Sequence, residues 1–142
     1  MCGVGGILYK KIGSTGQAPI GEDLVKMLES MTHRGKDSSG FTIVGEEIDG
    51  DLVIRIWTQD ADQADEVMSR AQEVVQKAGG VVNTHSNSGR FLRLTINYEG
   101  DVPVLAEALL NTPGVSLHSI GETSEVIKDT GTPMTMDGIH SM

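Results

Sequence analysis

Cys2 would carry a thiol and a free α-amine on one carbon once Met1 is removed, and methionine is normally trimmed before a small residue. The amine has an ordinary pKa of about 7.7–8.0 and the thiol about 8.5, so the amine can act as general base for its own side chain near neutral pH. That pairing is the equipment of an N-terminal nucleophile. Cys2 is also the only cysteine in the chain. A lone intracellular cysteine is elsewhere most often a small buried hydrophobe. Here Gly3-Val4-Gly5-Gly6-Ile7-Leu8 follows it, and residues 2–9 read as a buried strand that would hold the thiol inside the fold.

A second polar cluster, His33-Arg34-Gly35-Lys36-Asp37-Ser38-Ser39-Gly40, sits where a turn between a helix and the apolar strand 41–44 is expected. Its plainer reading is structural. Gly35 and Gly40 would give backbone freedom, Asp37 and Ser38 would cap the turn, and His33 would place a cation at a helix end. The helix before it has acidic residues Glu22 and Asp23 in its first turn, and Leu24, Met27, Leu28 and Met31 at i, i+3, i+4 and i+7. That stripe is expected to pack the helix on a sheet, with the methionines as core filler.

The two clusters, in this order and separated by an amphipathic helix, resemble the start of class II glutamine amidotransferases. This is the N-terminal-nucleophile (Ntn) family of the glutaminase domains of glutamate synthase and glutamine phosphoribosyl-pyrophosphate amidotransferase. The resemblance covers residues 1–44. It implies that Cys2 attacks the side-chain amide of glutamine, forming a glutamyl thioester and releasing ammonia, with its α-amine as proton shuttle. It implies that Arg34, Gly35 and Asp37 shape and brace the site. No metal and no organic cofactor is needed for that half-reaction. A flavin or iron–sulfur cluster would belong to a glutamate-synthase-like partner.

The family's later elements have no counterpart in the 142 residues. There is no Gly-His-Thr-Arg segment to hold the substrate carboxylate and no Asn-Gly pair for an oxyanion hole. The pairs Gly50-Asp51 and Gly100-Asp101 read as turn chemistry. Losing one oxyanion donor typically costs about 10²–10³ in rate, so the chain alone is expected to be an incomplete glutaminase.

Between these ends the pattern is strand 52–58, helix 62–78, strand 81–86, strand 91–98, helix 102–111 and strand 115–120. Ala64, Val67, Met68, Ala71, Val74, Val75 and Ala78 form one apolar stripe that Gly79-Gly80 ends. Leu92, Leu94, Ile96 and Tyr98 alternate with Arg93, Thr95 and Asn97, and Asn87-Ser88-Gly89 reads as a hairpin turn. The βαββαβ order suggests an inserted ferredoxin-like domain. Such a domain has no chemistry of its own; it would either recognise a partner subunit or a small regulatory ligand or be a passive decoration of the fold. His85 and His118 lack the paired spacing of a metal site, and Trp57 reads as a packing anchor. The segment after Ile120 reads as polar and turn-rich up to Pro133, then as a return toward the interrupted domain.

Composition narrows the partners. Twenty acidic against eleven basic residues give a net charge of −9, which repels phosphate backbones and anionic lipid surfaces. Aromatic content of 4% leaves few platforms for bases, so nucleic acid is not expected as a partner. No apolar run spans a bilayer and no signal peptide is evident, so no membrane partner and a cytoplasmic location are expected.

The expected fold class is therefore α+β, a partial Ntn-type sheet and helix layer with a ferredoxin-like βαββαβ insertion. The expected domains are 1–50 (amidotransferase, N-terminal part), 51–121 (insertion) and 122–142 (return segment). Glutamine is the expected substrate, and a C-terminal half or a synthase subunit the expected partner, in an oligomer or complex. The alternative is a non-catalytic binding, assembly or ligand-sensing module built on the βαββαβ segment.

Overall fold

The computed structural model describes residues 3–9, 19–35, 37–45 and 51–140. In chain order the elements are α1 (Ile20–Glu29), β1 (Ser38–Val44), β2 (Leu52–Trp57), α2 (Ala64–Lys77), β3 (Val81–Ser88), β4 (Phe91–Asn97), α3 (Val102–Leu110), β5 (Ser116–Gly121), β6 (Ser124–Thr130) and α4 (Pro133–His140). The mixture is α+β with antiparallel sheets. The chain divides into two compact units, Met1–Gly40 with Lys128–Met142, and Phe41–Ile127.

In the unit Phe41–Ile127 the alternation of β2 and β4 decides the packing. Leu52, Ile54 and Ile56 of β2 and Leu92, Leu94 and Ile96 of β4 share one sheet face, and all are buried. They meet Ala64, Val67, Met68, Ala71 and Val75 of α2, and Leu105 and Leu109 of α3. The strands form an antiparallel sheet in the order β3-β4-β2-β5, with Ile54 opposite Leu94 on one side and Ile120 on the other. The strands and helices expected between Leu52 and Ile120 are present, with ends moved by at most a few residues.

Local chemistry sets the ends. Gly79, at φ 90°, follows α2, and the Gly80 N–H reaches back to the Val75 carbonyl at 2.9 Å. Gly89, at φ 58°, supplies the left-handed residue of the β3–β4 hairpin. Asp101 caps α3: its carboxylate accepts from the Val104 N–H at 3.4 Å, while Pro103 occupies the first turn. Asp101→Ala should cost about 1 kcal/mol, read as a lower midpoint in urea at unchanged slope. A shift of zero would show that this cap contributes nothing. The Asp51 carboxylate accepts from the Asn83 amide at 2.7 Å, while Gly50 lies outside the described residues.

The other face of the sheet is covered, not wet. Glu125 of β6 lies over it, accepting from Arg93 Nε and Nη2, each at 3.0 Å, and from Arg55 Nε at 2.5 Å. Burial pushes the Glu125 carboxyl upward, but the Arg93 and Arg55 guanidinium groups outweigh it and hold the pKa below its ordinary value. β6 itself corrects the expectation of a turn-rich stretch before Pro133. It pairs with β1, and its Glu125 is satisfied by the distant Arg55 and Arg93 rather than by a turn.

In the unit Met1–Gly40 with Lys128–Met142, α4 packs on α1. The Met134 N–H, in the first turn of α4, donates to the Glu29 carboxylate at 3.3 Å, an anion at a helix N-terminus. Residues 3–9 differ from expectation. They adopt no regular secondary structure, and Val4 and Leu8 are exposed rather than buried. No strand of the described chain pairs with them, and without a partner a glycine-rich segment gains no ladder to offset its lost backbone entropy. Instead they lie along α1. A Cβ built on Gly5 would stand 2.9 Å from Met27 Cε and 3.0 Å from Met31 Cε, so the methionine stripe meets this segment rather than a sheet. The Tyr9 hydroxyl donates to the Asp23 carboxylate, and that bond, with desolvation and the carboxylate's charge, holds the phenol above its ordinary pKa.

Candidate active site

A cleft of about 260 Å³ opens beside the C-terminal end of α1. Leu28 and Met31 supply its apolar wall, and Thr32–Arg34 form a 3-10 turn that continues from the helix. That turn is closed by two backbone bonds, from the Arg34 N–H to the Met31 carbonyl at 2.8 Å and from the Gly35 N–H to the Thr32 carbonyl at 3.2 Å. Thr32 Oγ1 also donates to the Glu29 carbonyl at 2.7 Å.

Arg34, Gly35 and Asp37 all line this cleft, together with Gly3, the residue that follows Cys2. A Cβ built on Gly3 would lie 3.4 Å from Arg34 Cβ and 3.5 Å from Met31 Cβ, which is ordinary contact. The backbone next to Cys2 therefore rests on the Arg34 side chain. Cys2 itself, like Lys36, lies outside the described residues. His33 is exposed on the 3-10 turn, and Ser38, Ser39 and Gly40 enter β1 rather than the turn expected for them.

A further lining residue, Pro133, comes from a segment that local sequence patterns do not reveal. The Gly131 N–H donates to the Asp37 carbonyl at 3.2 Å, and Ser39 Oγ donates to the Gly131 carbonyl at 2.8 Å. Gly131 has φ 116°, a conformation that favours glycine, and Pro133 two residues later lines the cleft and starts α4. The result is a small, open cleft with a cation and a carboxylate on its rim and backbone polar groups nearby. Such a site can orient a small zwitterion by charge-assisted hydrogen bonds.

Elsewhere, His85 is exposed on β3, and the His118 ring lies 6.3 Å from that of Phe91. Arg90 places its guanidinium 5.9 Å from the Trp57 ring centroid, a cation–π contact. Among the described residues no group of three or more His, Cys, Asp or Glu is placed to hold a metal ion. Nor is any helix among them long and apolar enough to cross a membrane.

The sequence has relatives over nearly its whole length. A "Putative glutamine amidotransferase" of Methanothermobacter thermautotrophicus is 28% identical over 140 residues, covering 92% of this chain and 44% of that protein. A "Glutamine amidotransferase-like protein GlxB" of Rhizobium meliloti is 29% identical over 135 residues, covering 94% of this chain and 42% of that one. The chain is glutamine amidotransferase-like in sequence. It spans less than half the length of these curated relatives. No protein-family model matches it. Among solved structures, a described C-terminal regulatory domain of aspartate kinase from Porphyromonas gingivalis aligns over 66% of this chain and 56% of its own. Its 16% identity and TM-score of 0.38 are below what marks a shared fold.

Proposed function

We propose that this chain is the nucleophile-bearing N-terminal portion of a class II glutamine amidotransferase. The observation that carries the reading is that Gly3, adjacent to Cys2, lines one cleft with Arg34, Gly35 and Asp37. Once Met1 is removed, the Cys2 thiol passes its proton to the α-amine and attacks Cδ of glutamine. Ammonia leaves with a proton returned by the α-ammonium, a glutamyl thioester remains, and water hydrolyses it to glutamate. Arg34 is a positioning residue that carries the backbone next to the nucleophile. Oxyanion donors and further substrate contacts come from a C-terminal portion, on the same polypeptide or on a partner subunit, and the ammonia goes to a synthase. The sheet order β3-β4-β2-β5 with its two helices supports reading 51–121 as a ferredoxin-like insertion in that enzyme.

A diazo-ketone analogue of glutamine tests the reading. Cys2 sulfur displaces dinitrogen to form a stable thioether, and intact mass reports both the adduct and the loss of Met1. Labelling of Cys2, alone or with a C-terminal portion of a relative added, and slowing on acetylation of the α-amine, is the expected result. Arg34→Ala should slow labelling about 10–100-fold, because a displacement of roughly 1 Å at a reacting group costs that order of rate. No adduct under either condition would leave the non-catalytic binding module standing in place of the enzyme.

A further inference from the structure

We infer that Ser39 is a positioning residue: its hydroxyl clasps Gly131, and the clasp holds Asp37, Ser39 and Pro133 of the cleft lining in the arrangement that binds substrate. Ser39 has this role only if the cleft binds glutamine, as proposed above.

Gly131 directly follows the last residue of β6, and its φ of 116° turns the chain out of the strand. Its N–H still meets the Asp37 carbonyl, at 3.2 Å, one residue before β1 begins. Its carbonyl accepts from Ser39 Oγ at 2.8 Å, the shorter of the two bonds. Asp37 and Ser39 are thus tied to one residue from either side of Ser38. Ser39 is half-buried where Ser38 and Gly40 are exposed, so water competes less for its hydroxyl than it would at either neighbour.

The clasp leads straight into α4. Thr132 Oγ1 accepts from the Thr135 N–H at 3.3 Å, the Thr132 carbonyl accepts from the Met136 N–H at 3.1 Å, and Pro133 is the first residue of the helix. The place of Pro133 beside the cleft is therefore set by Gly131 on one side and by the helix on the other. Without the Ser39 hydroxyl the Gly131 carbonyl loses this partner, and the longer bond to Asp37 is left to hold the segment. A lining fixed in advance gives up less freedom when a ligand enters, so loosening it weakens binding. Neither bond of the clasp involves Gly3 or Arg34, the residues beside the nucleophile, so the chemical step is spared.

Ser39→Thr keeps the hydroxyl, and Ser39→Val has nearly the shape of threonine without it; both side chains suit a strand. The diazo-ketone labelling of Cys2 is followed by intact mass, with a C-terminal portion of a relative present where labelling requires it. Ser39→Val should raise the half-saturating reagent concentration about fivefold to tenfold and leave the rate at saturation within about twofold. Ser39→Thr should match the unaltered chain within about twofold in both quantities. Gly131→Ala meets Thr135 only at an ordinary 3.6 Å but disfavours the left-handed backbone, so it should raise half-saturation by a second route. Hydrogen exchange at the Gly131 amide, a readout that needs no labelling, should quicken at least about fivefold in Ser39→Val and not in Ser39→Thr. Half-saturation that neither Ser39→Val nor Gly131→Ala raises, equal effects of Thr and Val at position 39, or unchanged exchange at Gly131 would each overturn the role of Ser39 while leaving the amidotransferase function standing. No labelling of the unaltered chain under either condition would remove that function and the role of Ser39 with it.

Discussion

Leu94→Ala is expected to destabilise the unit Phe41–Ile127 by about 3–4 kcal/mol and to lower its melting midpoint by about 15–25 °C. Leu94 is fully buried at the centre of β4, opposite Ile54, with α2 and α3 packed over the same face. Truncation removes its transfer free energy and leaves a cavity among residues held by two neighbouring strands, which cannot collapse freely. Leu110→Ala is the matched control. Leu110 is 59% exposed on α3, and its truncation should cost less than about 0.5 kcal/mol. Thermal unfolding followed by circular dichroism separates the two. Equal shifts for both variants would mean that β4 is not at the centre of the core.

The second large effect concerns charge. Arg55 and Arg93 lie directly opposite each other on adjacent strands, an arrangement that repels, and Glu125 offsets it by bonding both. Glu125→Gln should cost about 2–3 kcal/mol, somewhat below the figure for a fully buried pair because the Glu125 side chain retains 21% of its exposure. Replacing both arginines by methionine in the Glu125→Gln background should recover part of that loss. The pH dependence has a definite sign. The folded carboxyl has a lowered pKa, so its contribution is fully present above the unfolded value of about 4.3 and disappears as pH falls through the folded value. The gap between wild type and Glu125→Gln should therefore be constant near neutrality and close below about pH 4. A gap that persists unchanged into that acid range would assign the cost to lost packing rather than to charge.

What the sequence reveals depends on where each residue finds its partner. β2 and β4 declare themselves because alternate residues face one core, and α2 because its apolar stripe has helical spacing. β6 hides because Glu125 reads as solvated until Arg55 and Arg93, 70 and 32 residues away, are placed beside it. Residues 3–9 mislead for the converse reason: Val4 and Leu8 have the composition of a buried strand, but strand formation needs a neighbour that composition cannot supply. In the cleft, Arg34, Gly35 and Asp37 are legible as a cluster because they are close in the chain. Gly131 is not, since its bond to Ser39 spans 92 residues and no local pattern announces it.

That last bond has a consequence during synthesis. The ribosome makes Asp37 and Ser39 long before Gly131, the residue that pins them; at about 5–20 residues per second the 92 intervening residues take on the order of 5–20 s. Throughout that interval the two walls of the cleft cannot be joined. The nascent chain thus carries Gly3, Arg34 and Asp37 before the cleft they line exists, and any property that depends on that cleft begins only after the intervening sequence has left the ribosome.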